Sequence, residues 1–242
     1  AEFKTEDLIH FFSRLKQRTE IRLTGGEPTL RKDLPEIISG AKKAGHRVAI
    51  MTNGLKLTDL NYCRELYSSG LRFVCLSMNG ADDDNVYQIL DNARCASKKI
   101  KALQNSVKTG FFINVNLILA KSINEHCVLR LVDMIREHNV RCTIRFRNIG
   151  QVGNFLKIEN YSYHEILMEI PRLLNVPQPD YSQYKYVNGY HEERNVLFPL
   201  DGSRSSKIWI KITDWDPPNA KIPDPGSKRR GRLTKDFLVA PF

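Results

Sequence analysis

Glu20-Ile21-Arg22-Leu23-Thr24-Gly25-Gly26-Glu27-Pro28 is the stretch that decides the fold. Glu20–Thr24 reads as a short strand, rich in apolar and β-branched residues, and it runs without a spacer into two glycines, an acid and a proline. Gly25 and Gly26 let the backbone approach a ligand and expose its N–H and C=O groups. Glu27 brings a charge able to meet an ammonium, and Pro28 stiffens the exit. Taken alone, Gly-Gly is also an ordinary strand-to-helix turn.

Working outward, similar runs occur at Arg47–Thr52, Arg72–Ser77, Phe112–Ile118 and Arg141–Arg147. Helical patterns lie between them. Thr5 to about Gln17 places Leu8, Phe11, Phe12 and Leu15 on one face. Asp33-Leu34-Pro35-Glu36 reads as an Asp cap, an early Pro and a Glu that satisfy a first turn, with Gly45 as a left-handed C-cap. Thr58 to Ser69 with Gly70 repeats that grammar, and Ser122…Glu125 and Ser162…Glu165 read as capping boxes. Strand and helix alternate at spacings long enough for a helical crossover and too long for hairpins, which predicts parallel βαβ units. Such a series closes into a full or partial barrel, or lies open as a doubly wound sheet. After Ile170 the prolines and the run Ile208–Thr213 predict a C-terminal extension with one or two extra strands.

The 242 residues suffice for one large domain or two small ones, and 41% hydrophobic with 26% charged content is ordinary for a globular chain. No run approaches the roughly 20 apolar residues of a membrane span, and the N-terminus lacks a secretory pattern, so a cytoplasmic address is expected. The net charge of +10 is partly gathered in Lys228-Arg229-Arg230-Gly231-Arg232. That run reads as a solvated basic tail before it reads as a phosphate or acidic-partner patch, and nucleic acid is not an expected partner. Five scattered cysteines, without a C-x-x-C pair, describe neither a disulfide framework nor a local metal site. Six histidines show no zinc-like pairing, and most of them read as surface or helix residues.

In parallel architectures ligands gather at the carboxyl ends of the strands. There the chain places Thr24–Pro28, then Thr52-Asn53-Gly54, Ser77-Met78-Asn79-Gly80, Asn114 and Asn116, and Asn148 to Asn154. Small polar groups at the same end of every strand form a rim suited to a bound small molecule. Arg145 and Arg147 share a strand face. One of them would meet a cofactor carboxylate or substrate phosphate, or both pair with helix carboxylates outside the barrel, the reading slightly preferred here. Asp82-Asp83-Asp84 reads as a helix-initiating cluster. Tyr181, Tyr184, Tyr186, Tyr190, Trp209 and Trp215 wall a substrate pocket, line a peptide groove or form the core of the extension.

Arg22 to Leu34, Met51-Thr52-Asn53-Gly54-Leu55, Leu71 to Ser77, Lys121-Ser122-Ile123-Asn124 and Val152-Gly153-Asn154 together resemble the radical S-adenosylmethionine enzymes. The nearest likeness is to the branch around the GTP cyclase of molybdenum-cofactor synthesis. It covers about Lys4 to Asn154. The resemblance implies an α/β chain: a partial (β/α)6 TIM-like barrel lacking its first strand, residues 1–155, with a C-terminal extension over 156–242 that supplies lid and substrate contacts.

It further implies that Gly25, Gly26, Glu27 and Pro28 contact the methionyl amino group of S-adenosylmethionine, and that Ser77 meets its carboxylate side. Thr52, Asn53, Asn116 and Gly150 match strand-end positions near cofactor or substrate. Arg22, Asn114 and Arg145 are substrate-side candidates. Arg22 matches a nucleotide-holding residue or is simply structural, and Asn114 stands where the cyclase branch carries a basic residue, a departure that argues against GTP. The family's C-x-x-x-C-x-x-C loop, whose thiolates hold a [4Fe–4S] cluster, does not occur in these residues, and its cysteines are expected upstream of Ala1. No second cluster is expected in the extension.

The implied activity is that of an oxidoreductase in a biosynthetic or modifying pathway. It cleaves the cofactor reductively to a 5′-deoxyadenosyl radical, which takes a hydrogen from a small-molecule, nucleotide-like or peptide substrate. An electron donor such as flavodoxin or ferredoxin is the implied partner. The alternative is a catalytically silent barrel that binds a cofactor or an acidic partner without a cluster.

Overall fold

The computed structural model describes residues 3–149, 158–184, 195–214, 232–233 and 239–240. Parallel strands β1 (Glu20–Leu23), β2 (Arg47–Thr52), β3 (Phe73–Ser77), β4 (Phe112–Ile118) and β5 (Cys142–Arg147) lie side by side in chain order. Strand β7 (Ile208–Thr213) continues the sheet parallel to β5, and β6 (Asn195–Pro199) closes its far edge antiparallel to β7. The sheet is open, with β1 at one edge and β6 at the other. A short antiparallel pair, β8 (Arg232–Leu233) and β9 (Val239–Ala240), forms a second sheet, with Leu233 packed against the main core.

The crossovers are α2 (Leu34–Lys43), α3 (Leu60–Ser68), α4 (Asp84–Leu90) with α5 (Ala96–Thr109), α6 (His126–Glu137) and α7 (Tyr163–Leu173), preceded by α1 (Thr5–Arg14). Alternation along the strands sorts the sheet into two faces. Val48, Ile50, Val74, Leu76, Ile113, Val115, Ile144, Phe146, Ile210 and Ile212 are buried in the main core. On the opposite parity stand Ala49, Met51, Cys75, Ser77, Thr143, Arg145, Arg147, Lys211 and Thr213, all only partly buried. This second face carries polar and charged side chains, Ser77, Thr143, Arg145, Arg147, Lys211 and Thr213 among them.

Several helix ends depart from expectation. The Asp33 side chain does not cap α2. Its carboxylate is held instead by Arg31 and Thr5, which ties the start of α2 to α1. Ser122 adopts φ +59, and α6 begins only at His126 with no side-chain cap, so no capping box forms there. The box at Ser162 and Glu165 is present in full. Asp83 caps α4 through Asn85 N–H and Val86 N–H, as a helix-initiating cluster should. His46 is not a surface residue. It is 1% exposed, accepts from Thr19 N–H on Nδ1 and donates from Nε2 to the Phe12 carbonyl, locking the end of α1 onto the start of β2.

Candidate functional site

The strand-to-turn corner at Gly25–Pro28 is built around the Glu27 carboxylate. Its Oε1 accepts from Thr29 N–H at 3.0 Å, Thr29 Oγ1 at 2.6 Å and Thr52 Oγ1 at 2.6 Å. Its Oε2 accepts from Asn53 N–H at 2.7 Å. Asn53 Oδ1 in turn accepts from Leu55 N–H, and Thr52 Oγ1 from Gly54 N–H. Thr52, Asn53 and Glu27 therefore form one clamp joining the carboxyl ends of β1 and β2, and only Oε2 keeps ready acceptor capacity. Pro28 is buried beneath the corner. Gly25 takes φ +145, and neither it nor Gly26 has any atom within 4 Å of where a Cβ would stand. The two peptide groups are open to a ligand.

The next two strand ends are joined by a polar network that sequence reasoning missed. Lys99 on α5 is 2% exposed and donates from Nζ to the Ser77 carbonyl at 2.9 Å. It pairs with Asp91 at 3.1 Å. Asn79 Nδ2 donates to the other Asp91 oxygen, and Asn79 Oδ1 accepts from Ile118 N–H. Asn124 ties the Asn79 and Ile118 carbonyls together. In sequence, Lys98-Lys99 looks like any solvated helix pair; only the fold turns the second lysine inward. The polar runs Ser77–Gly80 and Ser122–Asn124 were the visible signal.

The register places Ser77 opposite Asn116, Asn116 opposite Arg145, and Arg145 opposite Lys211. Asn116 donates to Cys75 Sγ at 3.0 Å, while its Oδ1 is buried without a hydrogen-bond partner. Burial raises the Cys75 thiol pKa, opposed by the Asn116 hydrogen bond and by the charges of Arg145, Arg22 and Arg147. Those three guanidinium groups thus face one region. Arg145 and Arg147 lie on the open face, with opposite parity to core-packed Cys142, Ile144 and Phe146, which corrects the reading that pairs them with helix carboxylates outside the barrel. Arg22 pairs with Glu20 at 2.6 Å, both about half exposed.

Two clefts, of about 300 and 340 Å³, open on the described surface. The first lies toward the amino ends of the strands and is lined by Phe73, Phe112, Asn114, Thr143, Arg204 and Trp209, among others. The second involves α1 residues such as His10 and Phe11. Neither is lined by the Gly25–Pro28 corner. Asn114 lines the first of these clefts and stands in register with Cys75 and Thr143, one pleat before Asn116.

Tyr181 and Tyr184 pack on Phe198 at ring separations of 5.9 and 6.3 Å, against the main hydrophobic core. Gly150, Val152–Asn154, Tyr186, Tyr190, Trp215 and the side chains of the basic run lie outside the described residues. Cys63, Cys95, Cys127 and Cys142 are buried free thiols. Among the described residues no group of three or more His, Cys, Asp or Glu side chains is placed to hold a metal ion, and no helix is long and apolar enough to cross a membrane. The described residues thus do not supply the ligand set of an iron–sulfur cluster. The open glycine corner and the orphaned Asn116 acceptor do fit a ligand with an ammonium and polar groups.

Comparison with known proteins bears on the family and the fold. A family model described as the radical SAM superfamily matches residues 2–135. The GTP 3′,8-cyclase of Staphylococcus epidermidis is 31% identical over 138 residues, covering 56% of this chain and 39% of the relative. That of Staphylococcus saprophyticus is 30% identical over 204 residues, covering 80% and 58%. The chain thus spans roughly half the length of these curated relatives. Among solved structures, Streptococcus suis SuiB bound to precursor peptide SuiA superposes with a TM-score of 0.57 at 20% identity, over 72% of this chain and 38% of that one. Native anSMEcpe with bound AdoMet and a Cp18Cys peptide gives 0.56 at 18% identity, over 72% and 52%. These structures share the fold, an open partial TIM barrel.

Proposed function

Because this chain belongs to the radical SAM superfamily, we propose that it forms the cofactor-gripping and substrate-facing part of an enzyme that abstracts hydrogen from a small-molecule, nucleotide-like or peptide substrate. The single observation that carries the reading is the clamped corner. Glu27 is fixed by Thr29, Thr52 and Asn53, and the adjoining Gly25 and Gly26 are unobstructed. Family members use S-adenosylmethionine and a [4Fe–4S] cluster, which together supply one-electron bond cleavage when bound.

The chain's own residues have positioning tasks. The Gly25 and Gly26 carbonyls and Glu27 Oε2 are acceptors for the methionyl ammonium, and Pro28 holds the turn from beneath. Ser77, pinned through its carbonyl by Lys99, faces the carboxylate side. Asn116 offers its buried Oδ1 to a donor on cofactor or substrate. Thr52 and Asn53 act chiefly through Glu27. Arg22, Asn114 and Arg145 remain substrate-side residues, and 156–242 serves as the covering extension. The electron comes from a flavodoxin- or ferredoxin-type donor, and the address is cytoplasmic.

The names of the relatives support both a nucleotide-like and a peptide substrate. The test is direct. Calorimetric titration of this chain with S-adenosylmethionine should show saturable binding that Gly26→Ala weakens tenfold or more. The full-length protein, reconstituted anaerobically with iron and sulfide and reduced with dithionite, should release 5′-deoxyadenosine. Binding without release would mark a silent cofactor-binding module, and neither would overturn the reading.

A further inference from the structure

The amino ends of the strands hold a feature of their own, away from the glycine corner. Phe73 and Phe112 open β3 and β4, stand opposite each other in register, and stack at 5.1 Å between ring centroids with 22° between planes. Phe112 is nevertheless 59% exposed. Next along the same edge, the Cys142 N–H donates to the Lys207 carbonyl at 2.9 Å, which makes neighbours of Arg141 and Lys207, the residues just before β5 and β7. One pleat further on, Thr143 stands opposite Trp209. Together with Arg204, from the turn between β6 and β7, these residues line the cleft of about 300 Å³.

The cleft joins uncovered aromatic surface to charge of one sign. A strand position that faces water gains nothing from a phenyl ring, whereas a concave wall of rings gains by covering one more. Trp209 Nε1 already donates to the Ser206 carbonyl at 3.1 Å, so the indole adds ring surface rather than a donor. Arg141, Arg204 and Lys207 line the cleft, and no aspartate or glutamate is among the lining residues. Among the described residues the Arg141 and Arg204 side chains enter no ion pair. Lys207 Nζ donates at 2.7 Å to Asn139 Oδ1, a neutral acceptor. Planar guanidinium forks take pairs of carboxylate or phosphate oxygens, and a stacked phenyl pair accepts a further ring at its open face or edge. The volume lies at the lower end of small-molecule sites, enough for one or two fused rings with an anionic group.

We propose that this cleft binds a planar aromatic molecule bearing a carboxylate or phosphate, with its ring against Phe73, Phe112 and Trp209 and its anion on Arg141 and Arg204. Phe73 lies at the start of β3 and Ser77 at its end, roughly 13 Å apart at the usual rise per residue. The site is therefore separate from the cofactor corner and does not rest on the functional reading above.

Calorimetric titration of this chain with 2-naphthoate and 2-naphthyl phosphate should give saturable binding of one or both, naphthoate alone indicating a carboxylate site and the phosphate alone a phosphate site. 2-Naphthalenemethanol has the ring without the charge, and cyclohexanecarboxylate the charge without the aromatic plane; each should bind tenfold or more weakly. Phe112→Thr, and separately Arg141→Gln/Arg204→Gln, should weaken the naphthyl anion tenfold or more. All three side chains are exposed, so thermal melts of the variants should match the wild type, and S-adenosylmethionine binding should stay within twofold. Lys43→Ala, exposed on α2, should change nothing. Saturable binding of neither naphthyl anion, equal binding of the uncharged alcohol, or unchanged affinity in either variant overturns the proposal. A wild-type dimer in sedimentation that Phe112→Thr abolishes, with no naphthyl binding, assigns the face to a second copy of the chain and overturns it too. Failure of the wild-type chain to bind S-adenosylmethionine counts against the functional reading alone.

Discussion

The Glu27 carboxylate accepts the Thr52 hydroxyl at 2.6 Å across the ends of β1 and β2. This bond sits within a cluster of four donors, so the acid is structural before it is a ligand. Glu27→Gln replaces one acceptor oxygen by a donor that faces other donors, and should cost about 1–3 kcal/mol of stability. Thr52→Val removes one hydroxyl and should cost about 1 kcal/mol. Urea unfolding checks both, with a lowered midpoint at unchanged slope as the expected result.

The two glycines of the corner should separate by substitution. Gly25 holds φ +145, whereas Gly26 has no such constraint, and both have open space where a Cβ would go. Gly25→Ala should therefore cost about 1 kcal/mol or more of folding stability through backbone strain. Gly26→Ala should fold as the wild type does and lose only S-adenosylmethionine affinity. Thermal unfolding paired with ligand titration distinguishes the two, and equal stability losses would contradict the assignment.

Lys99 and Asp91 form a buried pair beneath Ser77. Breaking it from one side leaves an uncompensated buried charge, so Lys99→Met or Asp91→Leu alone should each cost about 3–5 kcal/mol. The double substitution should cost less than the sum by at least about 1 kcal/mol. Denaturant melts of the four proteins in the cycle give the coupling, and simple additivity would refute it.

Asp33 carries an acid-dependent share of stability. Its bonds to Arg31 and Thr5 hold its pKa well below the ordinary 3.8, against the opposing effect of burial. A carboxylate with a depressed folded value contributes stability above its unfolded value and loses it as pH falls through the folded one. Asp33→Asn should cost about 1 kcal/mol at pH 7, a modest figure because the site is partly exposed. That difference should shrink progressively below pH 3.8. Unfolding free energies of both proteins across the acid range would show the convergence, and a gap independent of pH would exclude it.

Much of the fold was legible in sequence because its signals are local. Strand runs at Arg47–Thr52 and Phe112–Ile118 coincide with the observed strands, and Gly45 takes the left-handed cap conformation at φ +86. Where local grammar competed with long-range bonds, it failed. Asp33 was drawn from its cap by Arg31 and Thr5, and the Ser122 box was displaced by a positive φ.

By itself, then, the order of residues determined the alternation of strand and helix and the position of the glycine corner, since periodicity and turn chemistry act over a few neighbours. Only the tertiary structure decided that Glu27 is spent on Thr52 and Asn53, that Lys99 lies buried under Ser77, and that Arg145 shares a row with Lys211. Those pairings join segments some 22 to 66 residues apart. Sheet register and burial set them, and neither is written in any local stretch of the chain.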